Sequence, residues 1–341
     1  MSSGNHPSRL TLWLGAFTGF YRPRVEEIRQ LDPVSRFLYA ARSVILVISA
    51  QAAIIAGLLA AADHRFHWAE FSGIFTGFIV AHMISNLSND YFGYKYGHDV
   101  PDSPRMRYTV HPLASGVLET RTLLTGLLVL VVLGLALAGA FIAERGWLAV
   151  AFFVAGTGLM FWYDAVPRSL KRIGLGEFAV LLVWGPVMIG GGYAMIAGTL
   201  SSTALLASLP YGLGVMSILI GKHIDQAGFD ASMGIRTLPV LLGDHAARAL
   251  NIAAIALMYL LLASLILAHR LSPFTVLTFI ALPRAIHAIH LMSSTRPAAA
   301  PRGYIGWPLW YHRACLTHNR LFGWLYILGL SMAAIWPRLD G

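Results

Sequence analysis

The sequence predicts an all-α integral membrane protein with about nine transmembrane helices. It is 57% hydrophobic and only 12% charged, with a mean hydropathy of +0.64, whereas soluble proteins carry about 25% charged residues. Apolar runs of about 20 residues, the length that crosses a bilayer, recur along the whole chain. No stretch separates as a soluble domain, so we predict one membrane domain over residues 38–341, preceded by a cytoplasmic or interfacial segment over residues 1–37.

The N-terminal segment lacks the apolar core and small-residue cleavage site of a signal peptide. Its residues 10–20 are apolar and aromatic, which favours an amphipathic helix at the membrane interface; a partly ordered tail is an equal alternative for residues 1–8. The spans that follow are predicted over residues 38–62, 67–89, 123–143, 146–163, 175–199, 203–222, 246–268, 273–293 and 320–337.

The net charge of +9 suggests nucleic-acid binding at first sight, but no nucleic-acid motif is present and membrane topology explains the charge better. With nine spans, 18 of the 25 Lys and Arg residues fall on the side of the N-terminus, four fall on the opposite side and three lie within spans. Positive residues concentrate on the cytoplasmic side of membrane proteins. We therefore expect the N-terminus, and the loops after the second and sixth spans, in the cytoplasm. The single Cys315 excludes an internal disulfide.

The loop after the second span holds a first group of polar residues. Asn86, Asn89, Asp90 and Gly93 share one face of a helix by their i, i+3, i+4 and i+7 spacing. Asp99 follows Gly97, at which the chain can turn back. Carboxylates are expensive near a bilayer, and a bound cation is one way to stabilise them. The pattern indicates a divalent-cation site, with a solvated loop as the alternative.

The loop after the sixth span holds a second group. Lys222, Asp225 and Gln226 share a helical face, and Asp230 follows four residues after Gln226. Asp225 and Asp230 are about 140° apart on a regular helix, so both reach one ion only if the helix is distorted or ends, which Gly228 permits. Ordinary polarity beside the membrane is the alternative. Oxygen ligands of this kind suit Mg²⁺ carried by a diphosphate.

These two groups resemble the paired motifs of the UbiA-type intramembrane aromatic prenyltransferases. The first match is Asn89-Asp90-Tyr-Phe followed by a Lys and by Gly97-His-Asp99; the second runs from Asp225 and Asp230 through Gly234 to Thr237-Leu-Pro-Val and Leu242-Gly243. The branch that it resembles transfers a polyprenyl chain to 1,4-dihydroxy-2-naphthoate in menaquinone synthesis. Supporting matches lie at His111-Pro112-Leu-Ala-Ser115-Gly116, at Tyr163 with Pro167 and Lys171, and at Gly174-Leu-Gly176-Glu177. The resemblance covers roughly residues 36–337 and implies helices around a central cavity.

Three positions depart from the family pattern. Gly93 stands where the first motif normally has a second Asp, Gln226 stands where the menaquinone branch has Asp, and His111 precedes Pro112 in place of Arg. We expect Asn89, Asp99 or Asp102 to supply the missing oxygen, and a carboxylate at position 93 to be tolerated.

The resemblance implies Mg²⁺ as cofactor, an isoprenoid diphosphate and an aromatic acceptor as substrates, and the bacterial cytoplasmic membrane as location. Asp90, Asp99, Asp225 and Asp230 would hold the metal, with Asn86 and Asn89 as further catalytic residues. The cations available for the diphosphate are Lys95, Arg105, Arg107, Lys171, Lys222 and Arg236. Tyr91 and Tyr163 are candidates to face the allylic cation or the acceptor, although packing in the core is the more usual role of such residues.

Two other functions fit the sequence less well. A UbiA-type terpene cyclase would use the same diphosphate chemistry without an aromatic acceptor. A transporter would place ionisable residues at mid-span, whereas Asp90, Asp225 and Asp230 lie at predicted span ends. Prenyl length, acceptor and oligomeric state are not predicted.

Overall fold

All regular elements that the computed structural model describes are helices, as the composition predicts. The described residues are 8–18, 23–101, 103–164, 166 and 168–336. The α-helices are α1 Arg9–Thr18, α2 Val25–Arg29, α3 Pro33–Ala40, α4 Ser43–Ala62, α5 Trp68–Lys95, α6 Pro104–Tyr108, α7 Thr120–Arg145, α8 Trp147–Asp164, α9 Gly176–Leu182, α10 Gly191–Ala197, α11 Ser202–Ser232, α12 Leu238–Leu242, α13 Asp244–Leu267, α14 Leu282–Met292 and α15 Tyr311–Ile335. Short 3₁₀ segments lie at Leu170–Ile173 and Pro273–Ala281, and a π-helical segment at Val183–Gly190 joins α9 to α10.

Seven helical segments of the described chain are long and apolar enough to cross a membrane, which makes this an integral membrane protein. They are Ser43–Ala62, Trp68–Lys95, Thr120–Arg145, Gly176–Ala197, Ser202–Ser232, Asp244–Leu267 and Pro273–Met292. The two other predicted spans correspond to α8, which is shorter, and to α15, which carries several polar residues. The count of nine therefore remains a prediction.

Several helix ends differ from their predicted positions. The first span starts at Ser43 because the chain breaks after α3 at Arg42, whose φ of 56° is left-handed. The second and sixth predicted spans continue as helix to Lys95 and Ser232. Helix α15 starts at Tyr311, well before the predicted residue 320. In the last three cases polar residues at the membrane edge continue a helix that hydropathy alone would end.

The chain divides into two compact units, and each is described by itself. The first comprises Met1–Val47, Ile79–Leu135 and Ala300–Pro308; the second comprises Ile48–Phe78, Ala136–Ala299 and Leu309–Gly341. The core of the first unit joins residues from α1 to α3 with the C-terminal half of α5 and the segment that precedes α7. Its most buried members include Ile28, Ala41, Leu87 and Leu123.

Helix α11 is the central element of the second unit. It packs against α13, α15 and the Gly176–Ala197 segment. Of its most apolar 18-residue stretch, 78% is buried, whereas none of the corresponding stretch of α7 is buried. A Cβ added at Gly212 would lie 2.9 Å from the carbonyl oxygen of Leu181 and 3.0 Å from Cα of Gly185. Small residues therefore permit the close crossing of α11 and the Gly176–Ala197 segment.

Candidate functional site

The first motif lies on the last turns of α5, as the sequence predicts. Asn86, Asn89, Asp90 and Gly93 are all helical, and α5 ends at Lys95. Gly97 then adopts a left-handed φ of 70°, which glycine accepts readily. The chain turns back, and the backbone N–H of Asp99 donates to the carbonyl oxygen of Gly93 over 3.1 Å. The turn therefore returns Asp99 to the helix that carries Asp90.

Asp99 fills the space beside Gly93. A Cβ added at Gly93 would collide with the carboxylate of Asp99. A side chain at position 93 would have to displace the end of the Asp99 side chain, so the tolerance of a carboxylate there stays a prediction. The Asp99 carboxylate thus lies where a side chain at position 93 would begin. Asp102, a further expected substitute, lies outside the described residues.

His111 orients the carboxylate of Asp99. Its Nε2 lies 3.2 Å from Oδ2 of Asp99, and its Nδ1 accepts a hydrogen bond from the backbone N–H of Ala114 over 3.3 Å. A neutral imidazole whose Nδ1 accepts carries its proton on Nε2, so His111 donates to Asp99. The sequence drew attention to His111 only as a departure from the family pattern, and nothing local indicates its partner.

Asp90 is fully buried and holds two guanidinium groups. Arg105 binds it in a bidentate manner, with Nε 2.9 Å from Oδ1 and Nη2 2.7 Å from Oδ2. Nη2 of Arg42 also donates to Oδ1. Arg105, which the sequence predicts as a diphosphate ligand, and Arg42 both neutralise Asp90 in the structure.

Asn86 links the helix that carries Asp90 to the backbone that precedes Arg42. Its Nδ2 donates to the carbonyl oxygen of Ala41 over 2.9 Å, next to the left-handed Arg42. The amide therefore ties α5 to the break between α3 and α4. Sequence reasoning places Asn86 among the catalytic residues, but its amide nitrogen has this structural partner.

The first unit contains a group of side chains with the geometry of a metal site. Ligand atoms of Asp90, Asp99 and His111 all lie within 4.8 Å of one another. Carboxylate oxygens are the donors that Mg²⁺ prefers, so the two aspartates fit this ion, with His111 as the group that orients one of them. Asn89 is half-buried on the same helix.

The remaining predicted residues of the first motif, Tyr91, Lys95 and Arg107, are half-buried or exposed. Nζ of Lys95 lies 5.6 Å from the ring centroid of Tyr91 and 5.9 Å from that of Tyr96. The Tyr91 ring thus already faces a cation. Arg107 is exposed on α6, two residues beyond Arg105.

The second motif lies on a continuous helix. Helix α11 runs through Gly228 to Ser232, so the predicted interruption at Gly228 is absent and Asp225 and Asp230 stay on different faces. Asp225 accepts hydrogen bonds from the backbone N–H groups of Tyr311 at 3.2 Å and His312 at 3.0 Å. These are the first residues of α15, whose N–H groups have no partner within their own helix. Asp225 is thus a helix cap, and its role as a metal ligand beside Asp230 stays a prediction that the regular helix does not favour.

Asp230 has the features that its predicted role requires. It is buried, and its Oδ2 accepts no hydrogen bond from any described residue. His223, Lys171, Lys222 and Glu177 are close enough to act on its charge. A buried carboxylate oxygen without a partner is costly, and a cation would satisfy it.

A buried pair lies on the same side of α11. Nδ1 of His223 lies 2.7 Å from Oε1 of Glu177, and both residues are inaccessible to solvent. Glu177 follows the first residue of α9, as expected from the sequence, and a carboxylate suits a helix N-terminus. His223 was not predicted, since a single histidine in an apolar helix gives no signal of its partner.

Two glycines allow a close approach of Tyr163, Lys171 and the backbone of Arg236, which are the last predicted residues. A Cβ added at Gly176 would lie 3.0 Å from Cα of Lys171 and 3.2 Å from Cε2 of Tyr163, so the absent side chain lets these two residues approach. The carbonyl oxygen of Arg236 would lie 3.6 Å from a Cβ at Gly174, and Arg236 itself is exposed.

Comparison with known sequences identifies relatives over most of the chain. A model of the UbiA prenyltransferase family matches residues 50–313. The 1,4-dihydroxy-2-naphthoate octaprenyltransferase of Haemophilus influenzae is 26% identical over 231 residues, 64% of this chain and 73% of that protein. The enzyme of the same description from Bacillus subtilis is 24% identical over 209 residues, which are 61% of this chain and 66% of that protein. The 2-carboxy-1,4-naphthoquinone phytyltransferase of Synechocystis is 26% identical over 209 residues, 60% of this chain and 64% of that protein.

Comparison with solved structures gives the same fold. A UbiA homolog from Archaeoglobus fulgidus bound to GPP and Mg²⁺ has a TM-score of 0.58 and 14% identity, over 87% of this chain and 99% of that one. A digeranylgeranylglyceryl phosphate synthase has a TM-score of 0.56 and 16% identity, over 89% of this chain and 99% of that one. At these identities the likeness concerns the fold alone.

Proposed function

Because this chain belongs to the UbiA prenyltransferase family, we propose that it transfers a prenyl group from an isoprenoid diphosphate to an aromatic acceptor, with Mg²⁺ as cofactor. The observation that carries the proposal is Asp99, whose carboxylate lies where a side chain at Gly93 would begin and within 4.8 Å of Asp90. A carboxylate pair is thus retained although the second Asp of the motif is absent.

The metal would be held by the aspartates that remain suitable for it. In the first unit these are Asp90 and Asp99; in the second unit Asp230, whose Oδ2 lacks a described partner, is suited to hold a metal ion of its own. When bound, Mg²⁺ neutralises the diphosphate and makes it a better leaving group. Asp225, committed to the N-terminus of α15, contributes by holding that helix.

The side chains act on the substrate through charge and aromatic faces. Diphosphate oxygens accept from cationic side chains, which stabilise the charge that develops as the diphosphate leaves; we assign this to Lys95, Arg105, Arg107, Lys171, Lys222 and Arg236. Tyr91 and Tyr163 offer ring faces to the allylic cation. An apolar surround excludes water, which would otherwise capture that cation.

The proposed acceptor is a dihydroxynaphthoate or a related quinone precursor, as in the H. influenzae and B. subtilis relatives. Such an acceptor offers an electron-rich ring carbon, which forms the new bond to the prenyl cation and then loses its proton. We place the reaction at the cytoplasmic side of the membrane, because positive residues concentrate on the side of both motif loops.

The test uses purified protein in detergent or nanodiscs with a labelled isoprenoid diphosphate. We expect a prenylated product only when both Mg²⁺ and the naphthoate acceptor are present. A hydrocarbon product formed without acceptor would indicate a terpene cyclase instead, and intact diphosphate under all conditions would contradict both activities.

A further inference from the structure

Two arginines supply three hydrogen bonds to the carboxylate of Asp90, which has about four acceptor positions. Both of its oxygens accept from Arg105, and Oδ1 also accepts from Arg42. Asp90 is inaccessible to solvent, so no water replaces these donors. A metal ion that approaches Oδ1 competes with two guanidinium donors, and one that approaches Oδ2 competes with Arg105 and meets its positive charge.

Arg42 makes this contact from an unfavourable backbone conformation. Its backbone has a φ of 56°, a conformation that non-glycine residues rarely adopt. The hydrogen bond from Nδ2 of Asn86 to the carbonyl oxygen of Ala41, 2.9 Å long, holds the preceding residue. Sparsely populated backbone conformations persist where the surroundings determine them, and they cluster at functional sites.

Arg42 retains capacity for another ligand. Its Nε is buried and has no partner among the described residues, and its charge acts on Asp99 as well as on Asp90. Guanidinium groups bind phosphate oxygens in the same planar, two-donor manner as carboxylates. A diphosphate can therefore replace Asp90 as the partner of both arginines.

The charges of the cluster make the metal alone a poor ligand. With a neutral His111, the two arginines and the two aspartates Asp90 and Asp99 sum to zero. A lone divalent cation would enter a buried site next to two guanidinium groups, where repulsion is weakly screened. A metal that arrives with a diphosphate brings the anion that those groups require.

We propose that Arg42 and Arg105 exchange partners during substrate binding: they hold Asp90 until a metal–diphosphate complex arrives, then transfer to the diphosphate oxygens while Asp90 receives the metal. Metal and diphosphate binding at the first motif are thereby coupled, and the coupling is reciprocal by thermodynamic necessity. This inference rests on the proposed function and adds Arg42 as a diphosphate-binding residue.

The first experiment compares the native protein with the Asp90→Asn variant, which serves as the blank. Binding of Mn²⁺, a paramagnetic substitute for Mg²⁺, is followed by electron paramagnetic resonance with and without inorganic pyrophosphate. Subtraction of the Asp90→Asn variant isolates binding at Asp90 and corrects for Mn²⁺ that pyrophosphate holds in solution. We expect pyrophosphate to tighten Mn²⁺ binding at Asp90 on the order of ten-fold, within the usual range of coupling between two ligands. Equal binding in both conditions would overturn the inference.

Substitution of Arg42 separates exchange from simple support. We expect Arg42→Gln to tighten binding of Mn²⁺ alone and to weaken that of pyrophosphate, so that the coupling shrinks. Arg42→Lys, which keeps the charge but loses the planar donor pair, should weaken pyrophosphate binding while Mn²⁺ alone still binds poorly. The control is Arg121→Gln, which removes the same charge from an exposed position at the start of α7 and should change neither affinity.

Other results of these binding measurements would contradict the exchange or the proposed function. If Arg42→Gln weakens Mn²⁺ binding in both conditions, and Arg42→Lys restores it, the arginine merely supports Asp90 and no exchange takes place. These measurements do not depend on turnover. A protein that binds Mn²⁺ and pyrophosphate cooperatively but forms no prenylated product would contradict the proposed function and leave the exchange intact.

Discussion

The carboxylate of Asp225, on α11, caps the first turn of α15 at Tyr311. The backbone N–H of Tyr311 donates to Oδ1 over 3.2 Å, and that of His312 donates to Oδ2 over 3.0 Å. Nη1 of Arg296 donates to the backbone carbonyl oxygen of Asp225 over 2.8 Å. An acidic residue of the second motif thus joins three segments of the second unit.

This relationship predicts that Asp225→Ala destabilises the fold. The substitution leaves two buried N–H groups of α15 without acceptors, and loss of a helix cap costs about 2 kcal/mol at the upper end of the measured range. Asp225→Asn, which keeps one acceptor oxygen, should cost less. Thermal unfolding in detergent gives the stability, and the Mg²⁺ concentration for half-maximal turnover gives the metal dependence. Unchanged unfolding together with a large rise in the Mg²⁺ requirement would show that Asp225 is a metal ligand after all.

A second prediction concerns Gly221, one helical turn before Asp225. A Cβ there would lie 2.9 Å from the backbone nitrogen of His312 and 3.0 Å from the carbonyl carbon of Tyr311. Gly221→Ala should therefore push α15 away from α11 and destabilise the protein by about 1–3 kcal/mol, as overpacking does.

The matched control is Gly228→Ala on the same helix, where a Cβ meets nothing within 4 Å. It should be neutral or stabilising by up to about 1 kcal/mol, because alanine favours a helix. Equal effects of the two variants on thermal unfolding would contradict this close approach.

A third prediction follows from the competition between Gly93 and Asp99. Gly93→Ala should displace the Asp99 carboxylate and raise the Mg²⁺ concentration needed for half-maximal turnover. Asp99→Ala should raise it further, since the carboxylate is lost. In the Asp99→Ala background, Gly93→Asp should partly restore the Mg²⁺ response, because the new carboxylate occupies the vacated volume. Circular dichroism controls for folding. A double variant no better than Asp99→Ala would mean that position 93 cannot supply the missing oxygen.

A fourth prediction tests His111 as a positioning residue. His111→Ala removes the donor to Asp99, and loss of a group that orients a metal ligand costs roughly ten-fold or more in metal affinity. His111→Gln can still donate from its amide and should recover part of that loss. The readout is Mn²⁺ affinity in the presence of pyrophosphate, with thermal unfolding measured beside it. If both variants lose stability equally and neither changes the affinity of the folded protein, His111 is only a packing residue.

The sequence predicts the helical parts of the site better than its long-range partners. The face formed by Asn86, Asn89 and Asp90, and the turn at Gly97, follow from helical spacing and from the freedom of glycine. Local patterns also place Glu177 at a helix start. These features depend on residues a few positions apart, and such interactions can be read from the chain.

The missed features depend on contacts between distant segments. Asp225 finds its partners 86 and 87 positions later along the chain, so no local pattern predicts a cap. The interruption expected at Gly228 is absent because one glycine costs a helix only about 1 kcal/mol, less than the packing of α11 supplies. The left-handed Arg42 lies in an apolar sequence without a turn signal, and its partner Asp90 is 48 positions away.

The last prediction concerns orientation in the membrane. The concentration of 18 of 25 positive residues on one side predicts that the loops after α5 and α11 face the cytoplasm. The only native cysteine, Cys315, is buried, so a single introduced cysteine can be labelled against a low background. Ser232, at the end of α11, and Ser202, at its start, are both exposed. In oriented membrane vesicles, a membrane-impermeant maleimide should label Ser232→Cys only from the cytoplasmic side and Ser202→Cys only from the other side. The reverse pattern would place both motifs outside the cytoplasm and separate them from any cytoplasmic supply of isoprenoid diphosphate.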